Sequence, residues 1–123
     1  MTSMTRLSGA APRLVVVDEI LELSGGIRYV VSFVELWAWG TVVRMVGLSD
    51  GFVARMLELN LSLRDDTGRS YPHKATTSGG MVLSEEVVVG FTGVLDPAAR
   101  RVDLVRGNSG HVVASAGVAG QSV

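Results

Sequence analysis

Two adjacent carboxylates, Asp65 and Asp66, open the segment Asp65-Asp66-Thr67-Gly68, where residue type and spacing come closest to metal chemistry. Neighbouring acids in a turn could hold Ca²⁺ together with a backbone carbonyl and a third acid such as Glu85 or Glu86. A Ca²⁺ site takes six to eight oxygens, however, and this segment lacks the D-x-D-x-D-G repetition that supplies them locally. Asp side chains also accept bonds from their own downstream amides, and Gly tolerates positive φ, so a turn is the expectation and no metal is assigned. Adjacent residues of a strand point to opposite faces, which argues against a paired general acid and base. The two histidines, His73 and His111, lie far apart in sequence, with no H-x-H or H-E-x-x-H spacing around either. Ser109 sits in Gly107-Asn108-Ser109-Gly110, which is not the G-x-S-x-G of a nucleophile elbow. The glycines at 107, 110, 117 and 120 do not make a phosphate-cradling loop between a strand and a helix. No catalytic residue and no cofactor follow, and the chain reads as a non-enzyme.

Binding chemistry is better represented. Trp37 and Trp39 are separated by one residue and stand beside Gly40. Indoles so placed could stack on a sugar or press against a protein partner, although packing of at least one in the core is expected. Val42 and Val46 follow in the same apolar stretch, so Trp37, Trp39, Val42 and Val46 form the candidate interaction set. Arg100, Arg101 and Arg106 are the one local basic cluster, interrupted by Asp103, and read as a solvated sheet edge. Nucleic acid would require more charge and interleaved aromatics.

The elements that must position these residues are strands. Leu57, Leu59, Leu61 and Leu63 alternate with Glu58, Asn60, Ser62 and Arg64, a period of two that predicts one strand from Met56 to Arg64. Arg13 to Leu23 and Ile27 to Trp37 flank Ser24-Gly25-Gly26, the length and composition of a hairpin loop. In the second segment Ile27, Tyr29, Val31 and Phe33 share a face, but Glu35 falls on it too, which predicts a bulge near Val34 to Glu35. Thr41 to Leu48 is a third strand, and Ser49-Asp50-Gly51 is a turn. Phe52 to Arg55 is left open between a continuation of the leucine strand and a short helical corner. Gly68 to Gly80 reads as a long loop with one short edge strand. Glu85 to Thr92 and Arg101 to Arg106 are the last strands, joined through the Asp96-Pro97 turn.

With 123 residues, 47% apolar content, 15 Gly and a Val-rich core, the chain fits one domain. The expectation is an all-β, antiparallel immunoglobulin-like sandwich of six to eight strands over residues 13–107. Residues 1–12 would form a flexible arm and residues 108–123 a flexible tail, since Gly, Ser and Ala interrupt any amphipathic period there. Net charge is −1, which gives no broad field for nucleic acid. Cysteine is absent, so disulfides are excluded. Tyr29 to Val46 is apolar enough to raise a membrane span. Glu35 and Arg44 would each cost about 2.5–3.5 kcal/mol at a bilayer centre, and two strands account for the stretch better. Without an apolar leader in the first residues, a cytoplasmic location is expected.

Gly26-Ile27-Arg28 leads a long apolar strand, Leu61 to Asp66 is followed by Gly68 and Tyr71, and Phe91 and the Asp96-Pro97-Ala98-Ala99 turn come before Val102 and Leu104. Together these segments resemble actinobacterial immunoglobulin-like domains of unknown function. The resemblance covers residues 13–107 and implies a sandwich, with no activity attached. One Lys against ten Arg is in keeping with a GC-rich genome. Since a mean hydropathy of +0.37 exceeds what one small core needs, the expected role is a non-catalytic interaction or assembly domain, as a homo-oligomer or with a protein partner. The alternative is a small-molecule or carbohydrate-binding module using Trp37 and Trp39.

Overall fold

The computed structural model describes residues 11–80, 85–107 and 109–118. Nine strands and one short helix follow in the order β1 (Arg13–Leu23), β2 (Ile27–Leu36), β3 (Gly40–Gly47), α1 (Phe52–Glu58), β4 (Leu61–Asp65), β5 (Ser70–Tyr71), β6 (His73–Gly80), β7 (Glu85–Thr92), β8 (Arg101–Arg106) and β9 (Val112–Gly117). They form a sandwich of two antiparallel sheets, one ordered β1-β2-β3-β7-β6 and the other β5-β4-β8-β9. All-β architecture was therefore legible, with nine strands among the described residues in place of six to eight. No helix among them is long and apolar enough to cross a membrane, and the apolar stretch 29–46 lies in the β2–β3 hairpin.

Each layer presents one aliphatic face to the other. Val15, Val31, Val34, Val43, Met45, Val87, Val89 and Phe91 from the five-stranded sheet meet Leu61, Leu63, Tyr71, Val102, Leu104 and Ala114 from the four-stranded sheet. Burying one such Leu or Val contributes about 1.5–3 kcal/mol, so the inner faces supply the main driving force. At one end the Tyr29 hydroxyl donates to the Val113 carbonyl at 2.6 Å, which ties the layers together.

Three sequence expectations need correction. First, the leucine alternation is not one strand. Gly51, at φ 84°, turns the chain into α1, whose Phe52 and Met56 are spaced one helical turn apart and both buried. Phe52 stacks on Tyr29 with ring centroids 5.4 Å apart, so the helix plugs one end of the sandwich. Leu57 consequently points outward, 53% exposed, and only Leu61 and Leu63 lie on the buried face of β4. A seven-residue helix ending on a two-period strand mimics a longer strand in sequence.

Second, Gly68 to Gly80 is not mainly loop. β5 completes one sheet and β6 forms an edge of the other, with Pro72 at the crossing between them. Third, the expected tail contains β9, which pairs with β8 through Leu104↔Ala114 and Val102↔Ala116. Its inward side chains are small, and a register shift beside Val105 breaks the period of two, so backbone pairing holds a strand that hydrophobic patterning does not announce. The expected arm lies outside the described residues except for Ala11 and Pro12, as does the end of the chain from residue 119.

Candidate functional site

The outward face of the five-stranded sheet is where the candidate residues meet. The pairing Val31↔Met45 is followed by Phe33↔Arg44, so Ser32 is an extra residue in β2, two positions before the expected bulge. That insertion puts Val34 on the inner face and moves Phe33 and Glu35 outward, which corrects the placing of Phe33 with Tyr29 and Val31. The cross-strand pairs Glu35↔Val42, Phe33↔Arg44 and Val30↔Val46 set Val42, Arg44 and Val46 beside them on the same face.

Trp37 and Gly40 exchange backbone bonds, Trp37 N donating to Gly40 O at 2.8 Å and Gly40 N to Trp37 O at 3.3 Å, which closes a two-residue hairpin turn. Gly40 is required there, since a Cβ would stand 1.9 Å from the Phe91 carbonyl oxygen. The turn throws both indoles onto the outer face, where their rings stack with centroids 6.1 Å apart. Neither belongs to the buried core, contrary to the expectation for at least one of them.

Glu35 is the centre of this face. Although only 7% exposed, its carboxylate is fully engaged: Trp37 Nε1 donates to Oε1 at 2.8 Å and Arg44 Nε to Oε2 at 2.7 Å. A buried charge is tolerated only with such partners. The Arg44 guanidinium also lies 5.7 Å from the Phe33 ring centroid, and Lys74 Nζ sits 4.6 Å over Trp39. Around this neutralised centre the face is apolar and open. Val16 is 76% exposed, Ile20 56%, Leu14 53% and Trp39 42%, and the first three are carried by the edge strand β1, with Leu14↔Glu35 and Val16↔Phe33.

No family model, curated protein or solved structure matches this chain. Its geometry alone carries the functional reading.

The four candidates Trp37, Trp39, Val42 and Val46 thus share one face, with Val42 buried and Val46 and Trp37 half-buried. Sequence reasoning missed Leu14, Val16, Ile20 and the Glu35–Arg44 pair as members. The signal for the pair was present: two ionisable residues inside an otherwise apolar stretch.

The adjacent acids are spent internally. Asp65 Oδ1 accepts from Thr67 N, Thr67 Oγ1 and Arg69 N, and Oδ2 accepts from the Tyr71 hydroxyl at 2.6 Å. Burial pushes this carboxyl upward, but those four bonds outweigh it and hold it below the ordinary carboxylate range. Asp66 Oδ1 accepts from the amides of Arg100 and Arg101, which lowers its pKa likewise. Both acids therefore pin their own turn and its neighbour. Among the described residues no three His, Asp or Glu side chains converge in a way that could hold a metal ion.

His73 Nε2 bonds Thr76 Oγ1 at 2.6 Å on exposed β6, and the Ser109 hydroxyl accepts from His111 N. The basic cluster is dispersed: Arg101 pairs with Asp103 at 3.0 Å, while Arg106 emerges at the end of β8. Finally, a cleft of about 470 Å³ opens at the end of the sandwich beside Arg13, Leu36, Trp37, Leu95 and Val118.

Proposed function

We propose that this chain is a non-catalytic assembly domain that self-associates through the outward face of its five-stranded sheet. One observation carries the reading: Leu14, Val16, Ile20 and Trp39 are each exposed on a single face around an internally neutralised Glu35–Arg44 pair. Monomeric proteins rarely leave a large contiguous apolar patch uncovered. The occupant favoured is a second copy of the chain. A twofold interface sets a patch against itself, so the patch must carry no net charge. Here Arg44 and Lys74 balance Glu35 and Glu86, and the whole chain carries only −1.

Size agrees. Five strands about 4.8 Å apart and some eight residues long span roughly 600 Å² in plan. A corrugated surface exceeds its plan area, which brings the face close to the ~800 Å² per partner of a standard interface.

Light scattering coupled to size exclusion tests this. A particle of twice 13.0 kDa is expected at micromolar concentration, and Val16→Asp or Ile20→Asp, on exposed sites that leave the core intact, should return it to a monomer. A wild-type chain that stays monomeric at high micromolar concentration refutes the reading. Kinship with actinobacterial immunoglobulin-like domains belongs to the same proposal, supported by the two-sheet architecture and the Asp65–Gly68 turn.

A second reading, binding of a small molecule or carbohydrate, is favoured by the 470 Å³ cleft that Trp37 borders, since small-molecule pockets commonly have such volumes. Tryptophan emission that shifts saturably with a glycan or metabolite, and loses that response in Trp37→Phe, would support it. Emission indifferent to a broad panel would remove it.

A further inference from the structure

At the end of the sandwich opposite the Trp37 cleft, the β1–β2 hairpin, α1 and the β8–β9 hairpin enclose a polar concavity of about 190 Å³. Three basic residues, Arg55, Arg106 and His111, are among those that line it, with Glu22 the one acid in the lining. We infer that this concavity is a binding site for a small oxyanion, a phosphate or sulfate group.

Register explains how the arginines come to be there. Val102, Leu104 and Arg106 alternate along β8, and Leu61↔Arg106 and Leu63↔Leu104 are paired, so Arg106 occupies the inward row at the point where the core ends. An inward position filled by Arg places a guanidinium at the mouth between the sheets. Arg55 comes from the plug helix, and its Nη2 donates to Ser24 Oγ at 3.0 Å, which anchors the guanidinium to the β1–β2 hairpin. Tyr29 forms part of the lining, its hydroxyl already donating to Val113 O.

Neither arginine has an ion-pair partner among the described residues. Only two ion pairs occur among the described residues, Glu35–Arg44 and Arg101–Asp103, and neither involves Arg55 or Arg106. A guanidinium carries five N–H donors and an imidazole at least one in either tautomer. One of the ten guanidinium donors is used within the described residues, by Ser24. Fork-shaped donors converging on one concavity match the oxygens of a tetrahedral anion, and charge-assisted bonds are the strong ones. The volume admits such an anion together with a few waters of about 30 Å³ each.

The test is titration of the ¹⁵N-labelled full chain with inorganic phosphate and with sulfate, each against sodium chloride at matched ionic strength. Saturable shifts are expected at Ser24 to Gly26, Arg106, Gly107 and His111, absent in chloride. Arg106→Gln and Arg55→Gln should each weaken binding about tenfold or more, and Glu22→Gln should tighten it several-fold by removing the opposing charge. The opposite signs of these variants separate a site from a folding defect. Shifts that are linear, equally large in chloride or scattered over the surface overturn the inference, as does unchanged affinity in Arg106→Gln.

Discussion

Asp65 stands at the end of β4 with a buried carboxylate that accepts four hydrogen bonds from its own turn and from Tyr71. Tyr71 passes the network on, since its hydroxyl oxygen accepts from Asp96 N at 2.9 Å and so joins the β7–β8 connection to the β4–β5 turn. Asp65→Ala should cost about 2–4 kcal/mol in urea unfolding, because two amides and two hydroxyls lose their acceptor. Tyr71→Phe should cost less, about 1–2 kcal/mol. The acid limb follows from the same bonds. Because the folded Asp65 pKa lies below its unfolded value, its stabilisation is fully present above the unfolded carboxylate pKa and disappears as pH falls through the folded one. Thermal unfolding from pH 6 down to 2 should show a drop in Tm below about pH 4 that is smaller in Asp65→Asn.

The tyrosines set the alkaline side. Burial pushes the Tyr29 hydroxyl up to about 12, with the Glu19 charge adding to it, and burial also raises Tyr71. A raised pKa means that the neutral form is favoured in the fold. Stability from Tyr29 is therefore intact below pH 10 and is lost as pH climbs from there towards 12. Absorbance at 295 nm should show no phenol ionising with the ordinary pKa near 10 while the protein remains folded.

At the scale of elements, the leucine segment shows how two periodicities overlap. Leu57 and Leu63 occupy equivalent places in the alternation, yet one is solvent-facing on α1 and the other fully buried on β4. Leu57→Ser should change stability by no more than about 0.5 kcal/mol, whereas Leu63→Ala should cost about 2–5 kcal/mol. Similar costs from both would mean one continuous strand. Gly51 was legible as a turn, but the choice between helix and strand for Phe52 to Arg55 was not, because it depends on the open end between the sheets that Phe52 and Met56 fill. Likewise the out-of-phase Glu35 announced a bulge in β2, while its position at Ser32 depended on the pairing with β3.

For the whole molecule, β9 is the informative case. It supplies Val113, Ala114 and Ala116 to the core, and its Val113 carbonyl takes the Tyr29 bond across the layers. A chain ending at residue 107 should therefore lose cooperative unfolding, seen as a broad, low-enthalpy calorimetric transition. A sharp transition would make 108–123 dispensable, as a true tail would be. The interaction face is likewise a property of the assembled sheet: β1 brings Leu14, Val16 and Ile20 beside Glu35, Phe33 and Val30 only through its pairing with β2.

What the residues fixed by themselves was local. The period of two, the β-branched composition and the Gly- and Asp-bearing turns determined an antiparallel all-β chain, and the Trp37–Gly40 neighbourhood was marked as a surface of interest. Tertiary structure decided the rest: the helical plug, the ninth strand, the outward turn of both indoles and the gathering of Arg55 with Arg106. Side-chain periodicity encodes which face of a strand is buried. Which strands become neighbours, and so which outward residues lie side by side, is set by long-range backbone pairing that any single segment leaves undetermined.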